Sequence, residues 1–261
     1  EFRRVLFRSR RIWLTGASSG IGAQMAEVLL SGGARLALTA RTLEPLRVLS
    51  DRYPGQVLLV PGDLTDSVQV REIGKRIVQA WGALDTVILN AGTCEYVDAQ
   101  QFDAALVERV VRTNLLASSY CLESALPLLR AGSRPHLVGV VSSVTLWPLP
   151  RAGAYGASKA GLRYLLESLR IDLAQEQIDV TLVSPGFVDT PLTEHNDFPM
   201  PMRWPAHKAA RHICQRLEKR PLEIAFPTLF IASLRLLANL PKRLQVALGK
   251  RLARTSDGKP S

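Results

Sequence analysis

Short apolar runs recur along this chain at a spacing that suits alternating strands and helices. R-I-W-L-T (11–15) is apolar and runs into a glycine, as a buried parallel strand does. Ile21, Met25, Val28 and Leu29 then fall on one side of a helix, which predicts a helix over 20–31. R-L-A-L-T-A (35–40), Q-V-L-L-V (56–60), D-T-V-I-L-N (85–90), H-L-V-G-V-V-S-S (136–143) and D-V-T-L-V-S (179–184) read as further strands, and P-L-E-I-A-F (221–226) as a short seventh. Helical stretches around 66–80, 101–129 and 153–175 separate them. Such alternation predicts an α/β fold, a doubly wound parallel sheet of about seven strands with helices on both faces. No internal repeat, low-complexity segment or linker divides it, and 261 residues are enough for one large domain with a full core.

Two regions break the rhythm. Residues 187–210 carry Pro191, Pro199, Pro201 and Pro205 among Phe198, Met200, Met202 and Trp204, and read as an irregular apolar flap. Such a flap covers either core or a hydrophobic substrate. Beyond the seventh strand, P-T-L-F-I-A-S-L-R-L-L-A-N-L-P (227–241) predicts a helix started by Pro227 and stopped by Pro241. It is apolar around most of its circumference and too short to span a bilayer. K-R-L-Q-V-A-L-G-K-R-L-A-R (242–254) follows with clustered basic residues. The pair suits a peripheral membrane anchor, and equally a helix packed on the domain or across a dimer interface.

Charge is distributed unevenly. Residues 203–261 hold 13 Lys and Arg against 3 Asp and Glu, a net charge of +10, whereas 1–202 hold 20 of each. That split argues against a basic domain wrapped around nucleic acid and for a basic tail with a partner of its own. Cys94, Cys121 and Cys214 are odd in number and form no C-x-x-C, so neither a disulfide framework nor a metal site is expected, and a reducing cytosol fits best. The first nine residues, E-F-R-R-V-L-F-R-S, match the translation of GAG TTC AGA CGT GTG CTC TTC CGA TCT, which resembles a sequencing-adapter end. They are set apart as a non-native extension.

The chemistry gathers around two motifs. Tyr155 and Lys159 are four residues apart, so a phenol and an ammonium share one helix face. A free tyrosine, with a pKa of about 10, is a poor base near neutrality, and a neighbouring cation favours its phenolate. T-G-A-S-S-G-I-G (15–22) reads as a loop that holds a phosphorylated cofactor. At the end of the second strand stands Ala40-Arg41, with no acid to bind a ribose 2′-hydroxyl. Arg41 can grip a 2′-phosphate through its planar fork, which points to NADP(H).

In order along the chain come T-G-A-S-S-G-I-G (15–22), G-D-L-T (62–65), N-A-G (90–92), Asn114 in V-R-T-N-L-L, Ser142-Ser143, Y-G-A-S-K (155–159) and S-P-G-F-V-D-T (184–190). Over residues 11–226 the chain resembles the short-chain dehydrogenase/reductase family. The resemblance implies a single Rossmann-like catalytic domain over 10–226, followed by the helical tail 227–261. It implies hydride transfer between NAD(P)(H) and a carbonyl or alcohol. Gly16, Ser18, Ser19, Gly20, Ile21 and Gly22 would hold the cofactor, with Asp63 and Leu64 on its adenine side. Asn90, Ala91 and Gly92 would support the nicotinamide side, and Pro185, Gly186, Val188 and Thr190 the carboxamide. Asn114, Ser143, Tyr155 and Lys159 would be catalytic. Tyr155 would donate the proton, and Lys159 would lower its pKa and bind the nicotinamide ribose. The serine would hold the substrate oxygen, and Asn114 would position a water linking Lys159 to solvent.

The serine departs from the family pattern, in which the second of an S-S pair lies thirteen residues before the tyrosine. Here Ser143 is second but twelve before Tyr155, while Ser142 is thirteen before it. A deletion around Trp147-Pro148 would explain this, because loops absorb deletions better than strand ends do. Ser143 is therefore expected at the site, with Ser142 its rival. Cys94, Tyr96, Leu146, Trp147, Leu149, Phe187, Phe198, Met200 and Trp204 are the candidate pocket residues, and most are apolar. A lipid-, steroid- or long-chain-like substrate is expected, in a cytoplasmic homo-oligomer (dimer or tetramer) that contacts no nucleic acid and can reach the inner membrane surface through 227–254. The rival reading is an NADP(H)-binding redox sensor or scaffold with incidental catalysis.

Overall fold

The computed structural model describes residues 7–194, 196 and 199–256, with side chains up to residue 251. Expectations that rest on residues 1–6, on Phe198 or on 257–261 lie outside the described residues. In chain order the elements are β1 (Arg11–Thr15), α1 (Gly20–Ser31), β2 (Arg35–Thr39), α2 (Glu44–Arg52), β3 (Val57–Leu59), α3 (Ser67–Trp81), β4 (Thr86–Leu89), α4 (Ala104–Val111) and α5 (Ala117–Arg130). There follow β5 (His136–Val140), α6 (Gly153–Asp172), β6 (Asp179–Pro185), β7 (Val188–Asp189), β8 (Trp204–Pro205), α7 (Ala206–Leu217), β9 (Glu223–Phe226), α8 (Thr228–Ala238) and α9 (Lys242–Ser256).

Seven strands form one sheet in the order β3-β2-β1-β4-β5-β6-β9, and every neighbouring pair is parallel. The central strands are buried end to end because helices cover both faces. On one face Met25 and Leu29 of α1, Leu46 of α2 and Ile213 of α7 meet Leu14, Leu38 and Val183 of the sheet. On the other, Ile73 and Ile77 of α3, Leu122 and Leu129 of α5 and Leu162 and Leu166 of α6 meet Trp13, Val87 and Leu137. Trp13 is wholly buried, and its Nε1 donates to Thr39 Oγ1 at 2.9 Å, so the indole N–H leaves no unpaired polar group in the core. Strand order reverses between β1 and β4, which opens a crevice at the carboxyl ends of these strands.

Boundaries differ from the sequence expectation in informative places. The fifth strand ends at Val140, and Ser143–Thr145 form a 3-10 turn, because Ser142 caps it by accepting from Val144 N at 3.2 Å. The stretch 101–129 is two helices joined by a π turn over Arg112–Leu116, which places Asn114 at the turn. The irregular flap ends at Trp204, since α7 starts at Ala206. Neither α2 nor α7 stood out in the sequence, α2 being a short polar segment opened by Glu44-Pro45. Residues 7–9 pack on the domain even though 1–9 had been set apart: Ser9 N donates to Gly33 O at 2.8 Å and Phe7 rests on the core.

The C-terminal helix predicted from Pro227 and Pro241 is present as α8. It buries Phe230 and Leu234 against Trp147, with Leu146, Leu149, Phe187, Leu237 and Leu248 around them. The boundary expected at residue 226 therefore divides two parts that share one apolar cluster. Arg163 of α6, Ser184 of β6 and Arg235 of α8 all meet the Glu223 carboxylate and lock that edge.

His136 makes acid stability testable. It is buried at the start of β5, with Nε2 2.9 Å from Thr181 Oγ1. Burial, then the charge of Arg220, pulls its pKa from 6.5 to about 3. Between these values the unfolded chain binds a proton that the folded chain does not, so stability falls as pH drops through that window. The urea midpoint is expected to fall below pH 6.5, and His136→Asn to flatten the fall. An unchanged pH dependence in the variant would assign the acid sensitivity to other groups.

Candidate active site

The glycine-rich loop between β1 and α1 is built around contacts too close for side chains. Gly16 takes φ +67°, and a Cβ there would lie 2.8 Å from Ala91 Cα. A Cβ on Gly22 would overlap the Gly16 carbonyl oxygen and lie 2.5 Å from Asn90 Nδ2. Asn90 is the clasp. Its Nδ2 donates to the carbonyls of Thr15 and Gly16, at 3.1 Å each, and its backbone N–H donates to Thr15 Oγ1 at 2.9 Å. The N-A-G segment after β4 thus fixes the loop after β1. Thr190, after β6, lies over Gly20, where a Cβ would sit 3.1 Å from Thr190 Cγ2. Asp63 Oδ1 accepts from Thr65 N and Oγ1, both at 2.9 Å, which orients that carboxylate at the end of β3.

One cavity of about 710 Å³ joins these pieces. It is lined by Gly16, Ser18, Ser19, Gly20, Ile21 and Gly22, by Arg41, by Asp63 and Leu64, and by Asn90, Ala91 and Gly92. It continues past Ser142, Tyr155 and Lys159 to Pro185, Gly186, Val188 and Thr190. Asn114 lies behind this wall, wholly buried, and Ser143 is buried within its 3-10 turn. Ser142, at the carboxyl end of the β5 strand, is hydrogen-bonded to Tyr155. Spacing by count thus picks the serine that lines the cavity, and motif order picks the one buried in the turn. β5 ends at Val140, before both serines; Ser142 caps the turn and lines the cavity, while Ser143 is the first residue inside the turn.

Residues 10–198 match the family described as short chain dehydrogenase. The chain belongs to the short-chain dehydrogenase family. This dehydrogenase is 33% identical to an uncharacterized oxidoreductase of Myxococcus xanthus over 93% of its own chain and 97% of the relative. Its fold is similar to that of a short-chain dehydrogenase from Streptomyces avermitilis, with a TM-score of 0.79 and 22% identity over 95% of this chain and 99% of that one. It is also similar to Pseudomonas aeruginosa RhlG, solved as an NADP active-site complex, with a TM-score of 0.76 and 25% identity over 86% and 97% of the two chains. The family establishes an oxidoreductase that binds NAD(P).

Electrostatics at the site of this dehydrogenase are governed by burial. Burial pushes the Tyr155 phenol up from 10 to about 12, opposed by the hydrogen bond from Ser142. Burial pulls the Lys159 ammonium down from 10.5 to about 8. Lys159 Nζ donates to Val140 O at 2.8 Å, and the opposing influence on Tyr155 comes from Ser142.

Asn114 ties the segment after β4 to α6. Its Oδ1 accepts from Thr93 N at 2.7 Å, and its Nδ2 donates to Thr93 O at 2.9 Å and Ser158 Oγ at 2.8 Å. Both amide protons are committed to protein groups. Ser158 Oγ in turn donates to the Tyr155 carbonyl at 2.8 Å. Ser158 was missed in the sequence, although its place three residues after the tyrosine puts it on the same helix face. Arg109, Arg112 and Thr113 also line the cavity; none was singled out in the sequence, although Arg112 and Thr113 stand in V-R-T-N-L-L.

The apolar candidates divide. Cys94 and Tyr96 lie beside the pair, close enough that Tyr155 acts on the Tyr96 phenol and Lys159 on the Cys94 thiol. Leu146, Trp147, Leu149 and Phe187 form the cluster under α8. Trp204 stacks on Phe226 at 5.0 Å and meets His212 edge-on, so it belongs to core packing. Met200 Sδ accepts from Asn196 Nδ2 at 3.2 Å, and Asn196 Oδ1 accepts from Tyr96 Oη at 2.6 Å.

Proposed function

We propose that this dehydrogenase transfers a hydride between NADP(H) and an apolar carbonyl or alcohol of lipid-, steroid- or long-chain-like character. One observation carries the reading: a single cavity runs from the glycine-rich loop and Arg41 to Ser142, Tyr155 and Lys159. The residues present fit a dinucleotide: Gly16 and Gly22 let the loop close on Ala91 and Asn90, and a glycine-rich turn opening a helix presents backbone N–H groups to a pyrophosphate. When bound, the nicotinamide supplies or accepts the hydride.

In reduction, Tyr155 is the general acid. Its raised pKa keeps it protonated at neutral pH, and the proton passes from Oη to the carbonyl oxygen as negative charge develops there. Ser142 replaces Ser143 as the hydroxyl that stabilises this oxygen. Lys159 stands one helical turn away with a pKa near 8, poised to return a proton toward the phenol. Asn114 is a positioning residue that acts through Ser158 on the turn carrying Tyr155. Apolar substrate is favoured by the cluster of Trp147, Leu149, Phe187 and Phe230 beside the Pro185-Gly186 segment.

NADP(H) over NAD(H) rests on Arg41, which lines the cavity and makes no ion pair among the described residues. A charge-assisted contact to a 2′-phosphate is worth about 1.5–3 kcal/mol, or roughly 10- to 100-fold in affinity. Titration with NADPH and NADH is expected to show tighter NADPH binding, and Arg41→Ala to lose that margin while NADH affinity holds. Tighter NADH binding by the parent chain would overturn the cofactor assignment, and equal NADPH affinity in both would remove Arg41 from it.

A further inference from the structure

We propose that α8 and α9 together form a docking surface for an anionic lipid bilayer. α8 spends one face on the domain, where Phe230, Ile231 and Leu234 are buried. Its other face is apolar too: Leu229 and Leu236, seven residues and two turns apart, are 68% and 69% exposed. The hydrogen bond from Arg235 to Glu223, 3.3 Å long, sets the last turn of α8 beside the start of β9, where Leu222 is also exposed. α9 continues the surface. The Gln245 side chain turns inward and donates to the carbonyls of Ala238 and Leu240, at 2.9 and 2.8 Å, and Leu248 joins the cluster under α8. That orientation leaves Leu244 and Val246 exposed.

Charge selects the occupant. From Pro227 to Arg251 there are five basic residues and no acidic one; Arg235 is paired with Glu223, and Lys242, Arg243, Lys250 and Arg251 make no ion pair among the described residues. A second copy would bring the same four unpaired charges against them, which opposes self-association through this face. An anionic bilayer satisfies the charges, and its interface accepts exposed leucines. No helix among the described residues is long and apolar enough to cross a membrane, so the surface lies on the bilayer. α8 also reaches the site: a Cβ on Gly186 would lie 2.9 Å from Phe230 Cδ1, and the Phe230 and Phe187 rings are 5.5 Å apart. An apolar substrate dissolved in the lipid would thus meet the helix beside the cavity. That last link rests on the proposed function, whereas the docking does not.

The test is co-sedimentation of the full chain with phosphatidylglycerol/phosphatidylcholine vesicles and with phosphatidylcholine alone. Binding is expected to the anionic vesicles, several-fold weaker in high salt without vanishing, because the apolar part is unscreened. Leu229→Glu/Leu236→Glu and, separately, Arg243→Glu/Lys250→Glu are each expected to weaken it tenfold or more. All four positions are exposed, so the melting midpoint and NADPH affinity should hold, which separates this test from the cofactor reading. A full chain that stays in the supernatant with anionic vesicles at low salt overturns the proposal, as does undiminished binding by both double variants. So does a parent dimer in light scattering that Leu229→Glu/Leu236→Glu converts to monomer, since the face would then lie between copies.

Discussion

Tyr155→Phe is expected to abolish turnover, with a loss of about 10²–10⁴-fold for the removed proton transfer, while NADPH binds almost as before. The phenol is the group that can exchange a proton with the substrate oxygen, and the change removes one oxygen atom from a helix held by other contacts. Ser158 still donates to the residue 155 carbonyl, and Asn114 still holds Ser158. Ser142→Ala should cost roughly a hundredfold, as removal of an oxyanion donor does, and Ser143→Ala far less. The pH profile adds a reading that mere structural damage would not give. The hydrogen bond from Ser142 lowers the Tyr155 pKa against the effect of burial. Its loss should raise that pKa, so alcohol oxidation, which needs the phenolate, should reach its plateau at higher pH in Ser142→Ala. If Ser143→Ala is the more damaging variant, or if the Ser142→Ala profile does not move, the serine assignment fails.

What could be read ahead of the structure was whatever is written locally. A buried parallel strand needs a run of apolar residues and little else, so all seven strands of the sheet were visible as such runs, and Pro227 and Pro241 bracketed α8 correctly. The site followed where backbone need dictates composition, as in the glycines of the loop and the Tyr155–Lys159 turn. What stayed hidden lies where partners distant in sequence decide. Val140 is 19 residues before Lys159, and its carbonyl accepts from the Lys159 ammonium, a contact that no motif announces. Asn114 pairs with Thr93 and Ser158 across three segments, which no spacing rule encodes. Which of two adjacent serines lines the cavity depended on where the 3-10 turn after β5 begins, with Ser142 as its cap and Ser143 inside it. α7 was hidden because its buried side, with Ala209, Ala210, Ile213 and Leu217, is mostly small, while proline-rich chain precedes it.

Two glycines in the first turns of helices should respond oppositely to the same change. Gly22 lies in the first turn of α1 and Gly153 begins α6, so helix propensity alone would favour Ala at both. At Gly153 a Cβ meets nothing within 4 Å, and Gly153→Ala should leave stability and NADPH affinity unchanged or slightly improved. At Gly22 the added carbon would overlap the Gly16 carbonyl and strike Asn90 Nδ2. Neither neighbour can yield cheaply, because the Asn90 amide holds Thr15 and Gly16 and its backbone is bonded to Thr15 Oγ1. Gly22→Ala is therefore expected to cost about 1–3 kcal/mol of stability, as overpacking does. It should weaken NADPH binding much more than Gly153→Ala, since the loop that must meet the pyrophosphate is displaced. Thermal melting and fluorescence titration of the two variants side by side would check this. Normal NADPH affinity in a folded Gly22→Ala protein would mean that the clasp between Asn90 and the loop does not shape the cofactor site.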